Sequence, residues 1–358
     1  MTSPHAPSFA AWSAAVLAAW PLLDDGAGPQ PAVTLPLQPL SGGLINDTYA
    51  LGKHYILQRL HPIFAPPVND DIAALVPHLL AAGVPVPTLV RTAAGASHTV
   101  VTSSDPAAAG CWRMLGRLSG NTLHKLPDVG HAHSAAELVG QFHQALLPVQ
   151  HTFAFTRPGA HNTPLHMDKL QLALQQHPDH RLFRELLPLA TEILQRWQDF
   201  GPVPELPVRI IHGDLKVSNL LFLGDKACAI LDLDTMAHSS YDIELGDALR
   251  SWCNTGAEDD PQPAFATEVF VAATSAWLGV MGPDITAAER QSLARGTLRI
   301  TLELSARFAL DTLAESYFGW NRERYDSAGS HNLVRARNQL GLARDIAKHL
   351  PHLQALLQ

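Results

Sequence analysis

The spacing of apolar residues changes part-way along the chain and separates a strand-rich part from a helical part. Before residue 118, short apolar runs predict strands at 55–60, 86–92, 97–103 and 111–118, with helical patterns at 8–23 and 68–82. Beyond it, apolar residues recur with helical spacing, which predicts helices at 134–147, 166–175, 181–200, 263–281, 286–315 and from 331 onward. The pattern predicts an α+β chain, β-rich at 1–118 and mainly helical at 119–358.

A short β-like stretch interrupts the helical part. An apolar run at 208–211 is followed by the polar loop 212–219, and two further apolar runs at 220–223 and 227–231 flank a Gly-Asp turn. Two such runs around a tight turn are typical of a β-hairpin. We expect the hairpin to bring Asp232, at its far end, close to Asp214 and Asn219 of the loop.

The residue types in this stretch suit phosphoryl transfer to a hydroxyl, which depends on positioning and charge neutralisation. Asp214 can orient or deprotonate the acceptor hydroxyl, and Lys216 can reach the moving phosphoryl oxygens. Asn219 and Asp232 offer the hard oxygen ligands that Mg²⁺ prefers. Asp234 either binds a second metal ion or only shapes the loop.

The order of these residues resembles a known kinase superfamily. The segment H-G-D-L-K-V-S-N at 212–219 has the catalytic-loop spacing of protein kinases, with Gly213 in place of arginine. The whole set resembles the aminoglycoside phosphotransferase and choline kinase superfamily, and 230–250 is most similar to N-acetylhexosamine 1-kinases. One departure is visible, because Ile243, Glu244 and Leu245 separate Asp242 from Gly246 where those kinases have one residue.

The resemblance implies a two-lobed protein-kinase-like fold, with a nucleotide-binding lobe at 1–118 and a catalytic lobe at 119–358. It also implies Mg²⁺, ATP (or GTP) as co-substrate, and transfer of the γ-phosphoryl to a small molecule. The acceptor expected from it is the anomeric hydroxyl of a hexose or N-acetylhexosamine. Rival acceptors are an aminoglycoside and a choline-like amino alcohol.

The nucleotide-binding residues are expected in the first part of the chain. A glycine turn can place backbone amides over phosphates, and the candidates there are Gly42, Gly43, Asn46 and Thr48. The next strand lacks the kinase lysine, so Arg59 is the expected cation, with Gln58 as the alternative and Asp70 or Asp71 as its acidic partner. Backbone groups near Gly116 and Leu118 are expected to bind adenine.

The acceptor side is expected in the helical part. Asp242 can accept backbone amides of the catalytic loop, while Asp247 and Arg250 either contact substrate or simply pair at i, i+3. Glu303, Arg307 and Asp311 share one helix face, which is either a pocket wall or a salt-bridged solvent face. Ser134 and Glu137 have the spacing of a capping box.

Composition narrows the possible partners. The formal net charge is −8 and the pI is near 6.1, which argues against binding to nucleic acids or anionic membranes. Three scattered cysteines match no metal spacing and suit a reducing cytoplasm. No apolar run reaches the ~18 residues that a membrane span needs. The apolar stretch at 8–23 is short, has no basic start and ends at Asp24-Asp25, so no signal peptide is expected. The close pair His131 and His133 is more typical of a surface loop than of a metal site.

A non-catalytic interpretation remains open alongside the kinase. The missing strand lysine would suit a nucleotide-binding pseudokinase or scaffold. The retained Asp214, Asn219 and Asp232 count against it, because a protein that only binds nucleotide has no need of the general base. The sequence does not predict an oligomeric state.

Overall fold

The computed structural model describes residues 9–26, 28–40 and 45–358, and the chain divides into two compact units. Gly42 and Gly43, predicted to bind phosphate, lie outside the described residues. The first unit comprises the chain up to Gly120 together with Val149–Thr156 and Ala229–Asp234. The second comprises Asn121–Pro148, Arg157–Cys228 and Thr235–Gln358.

The first unit is built on a five-stranded antiparallel sheet in the order β3-β4-β5-β7-β6. Its strands are β3 (Leu37–Pro39), β4 (Asp47–Leu51), β5 (Tyr55–Arg59), β6 (Thr99–Val101) and β7 (Gly110–Gly116), preceded by the hairpin β1 (Leu22–Asp24) and β2 (Pro29–Pro31). Helices α1 (Phe9–Leu17) and α2 (Val68–Ala81) complete it. The predicted strand at 86–92 does not form, because only Leu89 bridges to β7 and the prolines at 85 and 87 lack an N–H donor.

A tryptophan-rich core fixes α1 on one face of this sheet. The rings of Trp12 and Trp112 stack with centroids 5.1 Å apart, and Leu57 and Met114 are buried beside them. Because side chains alternate along a strand, Gln58 and Arg113 point to the opposite face. That face carries the polar residues described below.

The second unit is mainly helical. Its helices are α3 (Val129–Leu146), α4 (Thr163–Gln176), α5 (Phe183–Phe200), α6 (Tyr241–Trp252), α7 (Thr267–Met281), α8 (Ala287–Ala314) and α9 (Ala328–Ala355). Its strands are β8 (Asn121–Thr122), β9 (Arg209–Ile211), β10 (Leu220–Leu223) and β12 (Ala237–Ser239), and β11 (Lys226–Ile230) completes the predicted hairpin and runs into the first unit. Helix α8 packs against α4, α5, α6 and α9 and forms the centre of the unit.

Two details of the second unit differ from or extend the predicted pattern. The capping box predicted at Ser134 is wrong, because α3 begins earlier and Asp128 caps it by accepting the His131 amide at 2.9 Å. Two glycines let α6 and α8 cross closely: a Cβ on Gly296 would lie 2.1 Å from the Asp242 carbonyl oxygen, and one on Gly246 2.7 Å from that of Gly296. No helix of the described residues is long and apolar enough to cross a membrane.

Candidate active site

The catalytic loop lies between β9 and β10 and brings three of the predicted residues together. The Lys216 ammonium lies 2.5 Å from Asp214 Oδ2, and Asn219 Nδ2 donates to the Asp214 carbonyl oxygen at 2.8 Å and to Oδ2 at 3.1 Å. Both charged side chains remain partly exposed, at 34% and 24%. The loop therefore presents a carboxylate, a cation and an amide oxygen within one short segment.

Gly213 is required by the shape of this loop. Its φ is +79°, a left-handed conformation that favours glycine. A Cβ at this position would lie 2.5 Å from the Thr235 carbonyl oxygen, closer than van der Waals contact allows. The glycine that distinguishes this loop from a protein-kinase loop is thus explained by conformation and space.

A buried carboxylate on α6 holds the start of the loop. Glu244 accepts the amides of His212 and Gly213, each at 2.8 Å, and its Oε1 lies 3.0 Å from Nε2 of His143. Trp277 donates to His143 Nδ1 at 2.9 Å, so the His143 proton lies on Nε2 and is donated to Glu244. Burial raises the pKa of Glu244, but the neighbouring histidines and the Gly213 amide outweigh it and lower that pKa.

The prediction that Asp242 accepts these amides is wrong. The Asp242 carboxylate instead contacts the Ser240 hydroxyl and lies 3.6 Å from an Arg299 nitrogen. The extra residues between Asp242 and Gly246 explain the difference, because they place Glu244, rather than Asp242, on the side of α6 that meets the loop.

The pairing predicted between Asp247 and Arg250 is present. The two side chains are buried and 2.7 Å apart, and Arg250 also lies 3.5 Å from Glu258. Burial raises the pKa of Asp247, but the charge and hydrogen bond of Arg250, with contributions from His161 and Lys216, together outweigh burial and lower that pKa. Each acid of this part of α6 therefore has a basic neighbour.

The acidic face of α8 is buried, so the solvent-face interpretation of Glu303 and Asp311 is wrong. Glu303 Oε2 accepts the Thr163 hydroxyl at 2.7 Å, and Oε1 lies 3.3 Å from His161 Nδ1. Asp311 accepts the amides of residues 316–318 at 2.8–3.0 Å and the Asn332 side chain.

Arg307 lies one turn from both of these acids on α8. It stacks against Tyr317 and Phe318, with its guanidinium carbon 5.7 Å and 5.6 Å from the two ring centroids. Asp311 fixes the turn that carries both rings. The Arg307 charge therefore lies next to an aromatic surface formed by Tyr317 and Phe318.

His161 links Glu303 to the catalytic loop, a role that its residue type alone did not indicate. Its Nε2 lies 3.4 Å from the Gly213 carbonyl oxygen, and its φ of +52° is unusual for a residue with a side chain. It also lines an open pocket of about 460 Å³, together with Asn162, Ser240 and Arg299. The pocket and the catalytic loop therefore share His161 as a common wall.

The first unit holds the two aspartates of the D-x-D pair. Asp232 adopts φ +61°, again a left-handed conformation for a non-glycine residue. Asp234 is buried, and its carboxylate is bound by the Arg113 guanidinium and by Asn46 Nδ2 at 2.8 Å. This geometry favours the loop-shaping alternative for Asp234, and a metal-binding role for it stays a prediction.

Arg59, the cation expected on β5, points away from Asp234 and its partners Arg113 and Asn46. Arg59 pairs with Asp47 at 2.8 Å and lies 5.8 Å from the Trp112 ring, so its predicted pairing with Asp70 or Asp71 is wrong. The alternation of side chains along β5 explains this, because it puts Arg59 on the tryptophan face of the sheet.

The two acids near the start of α2 have partners of their own. Asp71 accepts the amides of Ala154 and Phe155 at 2.8 and 2.9 Å. Asp70 accepts the Ser97 hydroxyl at 2.8 Å. In this arrangement the partner of Arg59 is Asp47 rather than either of these acids.

The other predicted nucleotide residues occupy the ends of the same sheet. The Thr48 hydroxyl accepts from Gln58 at 3.1 Å, and Asn46 Oδ1 accepts the His61 amide at 2.9 Å. Gly116 donates to the Thr88 carbonyl at 2.8 Å, and Leu118 is half-buried just beyond β7. Their roles toward a nucleotide stay predictions.

The catalytic loop can offer one oxygen ligand to a magnesium ion. Among the described residues, no three acidic, histidine or cysteine side chains form a metal cage. Magnesium is commonly held by one or two carboxylates plus phosphates and water. The Asn219 amide nitrogen is used within the loop, which leaves its oxygen for a cation. The binding of Mg²⁺ by Asn219 and Asp232 stays a prediction.

Comparison with known proteins gives the family. The model of the phosphotransferase enzyme family (APH) matches residues 36–280, well over half of the chain. The chain belongs to this family. The match includes the catalytic loop, Asp232 and Glu244, but it ends before α8 begins.

Similar proteins agree with this assignment. A homoserine kinase from Granulibacter bethesdensis is 26% identical over 220 residues, a match that spans 60% of this chain and 64% of that kinase. An aminoglycoside phosphotransferase from Alicyclobacillus acidocaldarius has a similar structure (TM-score 0.59, 16% identity, 98% of each chain), as does a microcompartment-associated aminopropanol kinase (0.58, 18%, 91% and 95%). These likenesses confirm the predicted α+β kinase-like fold, with a small β-rich part and a mainly helical part.

Proposed function

We propose that this protein transfers the γ-phosphoryl group of ATP to a hydroxyl of a small molecule. What carries the proposal is the loop in which Lys216 and Asn219 contact Asp214 and whose start is held by Glu244. In this role Asp214 orients the acceptor hydroxyl and accepts its proton, and Lys216 offsets charge on the phosphoryl oxygens. Magnesium, held by Asn219 and Asp232, would neutralise charge on the phosphates.

The acceptor that we propose is the anomeric hydroxyl of a hexose or N-acetylhexosamine, giving a sugar 1-phosphate. The similarity of residues 230–250 to N-acetylhexosamine 1-kinases supports it. Arg307 with Tyr317 and Phe318 adds support, because aromatic rings pack on the apolar face of a sugar while a cation binds its oxygens.

Charge pairing argues against an aminoglycoside as acceptor. A polycationic substrate needs acids that are free to bind it. Here Asp242 lies beside Arg299, Asp247 beside Arg250, and Glu303 beside His161. These acids are already neutralised within the unit.

An amino alcohol is the second candidate acceptor. The homoserine kinase match and the aminopropanol kinase structure favour it. Homoserine carries a carboxylate that Arg307 could bind in a bidentate manner. Both candidates place the acceptor hydroxyl beside Asp214.

One assay separates these functions. Purified protein with Mg²⁺ and ATP, or GTP in a parallel series, is tested for nucleoside diphosphate release against free hexoses, N-acetylhexosamines, homoserine, aminopropanol, choline and aminoglycosides. We expect the highest kcat/KM with a hexose or N-acetylhexosamine. The Asp214→Asn variant should lose about 10²–10⁴-fold in kcat with little change in nucleotide affinity.

The other possible outcomes of the assay would each favour a different function or a different role for Asp214. A clear preference for homoserine or aminopropanol would replace the sugar by an amino alcohol. Nucleotide binding without turnover of any acceptor would indicate a binding protein rather than a kinase. Wild-type turnover by Asp214→Asn would remove that carboxylate from its role.

A further inference from the structure

Arg113 is a buried cation that neither the sequence pattern nor the proposed chemistry selects. We infer that Arg113 is a positioning residue that fixes the segment Ala229–Asp234, and with it Asp232, for metal binding. The inference rests on the proposed function, because it assigns a role toward the magnesium site of that function. It also explains how the unit is organised without a lysine on β5.

The guanidinium of Arg113 is fully engaged. Nη1 and Nη2 each bind one oxygen of the Asp234 carboxylate, the second at 2.9 Å. Nε and Nη2 donate to Gln58 Oε1 at 3.0 and 2.8 Å, and Nη1 lies 3.4 Å from Asn69 Oδ1. The side chains of Arg113 and Asp234 are only 3% and 0% exposed.

These contacts connect the segment to three elements of the first unit. Arg113 lies on β7, Gln58 on β5 and Asn69 on α2. Gln58 also donates to Thr48 on β4. A strand lysine paired with a helix acid would join the same elements, and here a strand arginine and two amides occupy that place.

Asp234 is thereby an anchor for the residues before it. Both of its oxygens are bound by Arg113, and Oδ2 also accepts from Asn46. At the other end of the segment, the Ile230 amide donates to the Pro85 carbonyl at 3.1 Å. Asp232 lies between these two fixed points in its left-handed conformation, so its carboxylate direction depends on both.

The test is the affinity for Mg²⁺ in the presence of a non-hydrolysable ATP analogue, measured by calorimetry. Arg113→Lys keeps a positive charge beside the buried carboxylate but loses the planar fork that holds both oxygens. We expect Mg²⁺ affinity to fall about 10–100-fold, while the affinity for the analogue without metal is unchanged. A purely structural role would not separate these two affinities.

A second variant covers the case in which Arg113→Lys fails to fold. Gln58→Leu removes two hydrogen bonds to Arg113 and leaves the Arg113–Asp234 pair intact. It should weaken Mg²⁺ binding several-fold. Arg91→Lys is the matched control for Arg113→Lys, because Arg91 is an exposed arginine of the same unit whose side chain donates to the Gly95 carbonyl.

The outcomes are distinguishable. Wild-type Mg²⁺ affinity in a folded Arg113→Lys or Gln58→Leu protein would overturn the inference and leave the proposed kinase intact. Absence of Mg²⁺-dependent nucleotide binding in the unaltered protein would overturn both. Equal loss in Arg91→Lys would show that replacing any arginine of this unit by lysine is enough, and would also overturn the inference.

Discussion

His161 is held between a carboxylate and the catalytic loop in a conformation that few side chains adopt. Burial disfavours its charged form, but hydrogen bonding and charge from Glu303, with a contribution from Asp247, outweigh burial and the Arg307 charge, and raise the pKa of His161. Its imidazolium can form an ion pair with Glu303 and donate to the Gly213 carbonyl at once. The protonation of His161 is therefore coupled to the geometry of the catalytic loop.

Stability should therefore depend on pH through His161. A raised pKa means that the stabilisation is complete below the usual value of 6.5 and is lost as pH rises through the raised value. In His161→Gln this loss should disappear, and the protein should be less stable than wild type at low pH. Urea denaturation from about pH 5.5 to about pH 8.5 measures it.

The control for this prediction is His78→Gln, which alters an exposed histidine on α2. It should leave the pH dependence of unfolding as in wild type. An unchanged pH profile in His161→Gln would contradict the assigned coupling to Glu303.

The sequence could reveal those candidate site residues that lie close together in one short segment. Asp214, Lys216 and Asn219 follow each other in one loop, so their spacing alone indicates their use. Glu244 binds the Gly213 amide and Arg113 binds the Asp234 carboxylate, and both partners are distant in sequence. No local sequence pattern indicates such long-range pairs. The extra residues around Glu244 were the one local sign that the loop anchor had shifted.

At the scale of elements, the close crossing of α6 and α8 determines where the acceptor-side residues lie. Glu244 and Asp247 lie on α6, and Glu303 and Arg307 on α8. The bounds of α2 and α8 match those predicted from apolar spacing within about two residues. The predicted bounds of two other helices were wrong, because α1 ends at Leu17 rather than at residue 23, and α3 begins at Val129 rather than at residue 134. The crossing was not readable, because it depends on which glycines of two distant helices meet.

Gly296→Ala should destabilise the second unit. The added methyl group would lie 2.1 Å from the Asp242 carbonyl oxygen, so the helices would have to separate. We expect a loss of about 1–3 kcal/mol or more in the free energy of unfolding, measured by urea denaturation. Gly279→Ala on α7, where nothing lies within 4 Å of the added Cβ, should instead be neutral or stabilising. Equal effects of both substitutions would contradict the crossing.

Over the whole molecule, the family match and the proposed acceptor residues lie in different stretches of the chain. The family match ends at residue 280, whereas Glu303, Arg307, Tyr317 and Phe318 come later. The matched stretch therefore supports nucleotide chemistry, and it does not carry the proposed acceptor contacts. This is why the sequence predicted the reaction class better than the substrate.

Nucleotide and metal should stabilise the folded protein together. A non-hydrolysable ATP analogue with Mg²⁺, at about 100 times its Kd, should add about 2.7 kcal/mol to the free energy of unfolding. Thermal unfolding measures this as a rise in melting temperature. Chelation of the metal should remove most of the rise, and so should Asn219→Ala, which deletes the proposed amide ligand. A rise that chelation leaves intact would contradict the metal site.

The glycine after His212 bears on how such an enzyme can be controlled. Protein kinases have an arginine at this point of the loop, and arginines that pair with a phosphorylated residue order their activation loops. Here the Thr235 carbonyl occupies the space that any side chain at position 213 would need. A phosphate-sensing arginine has no room there. The start of the loop is instead held by the hydrogen bonds that Glu244 accepts from the His212 and Gly213 amides.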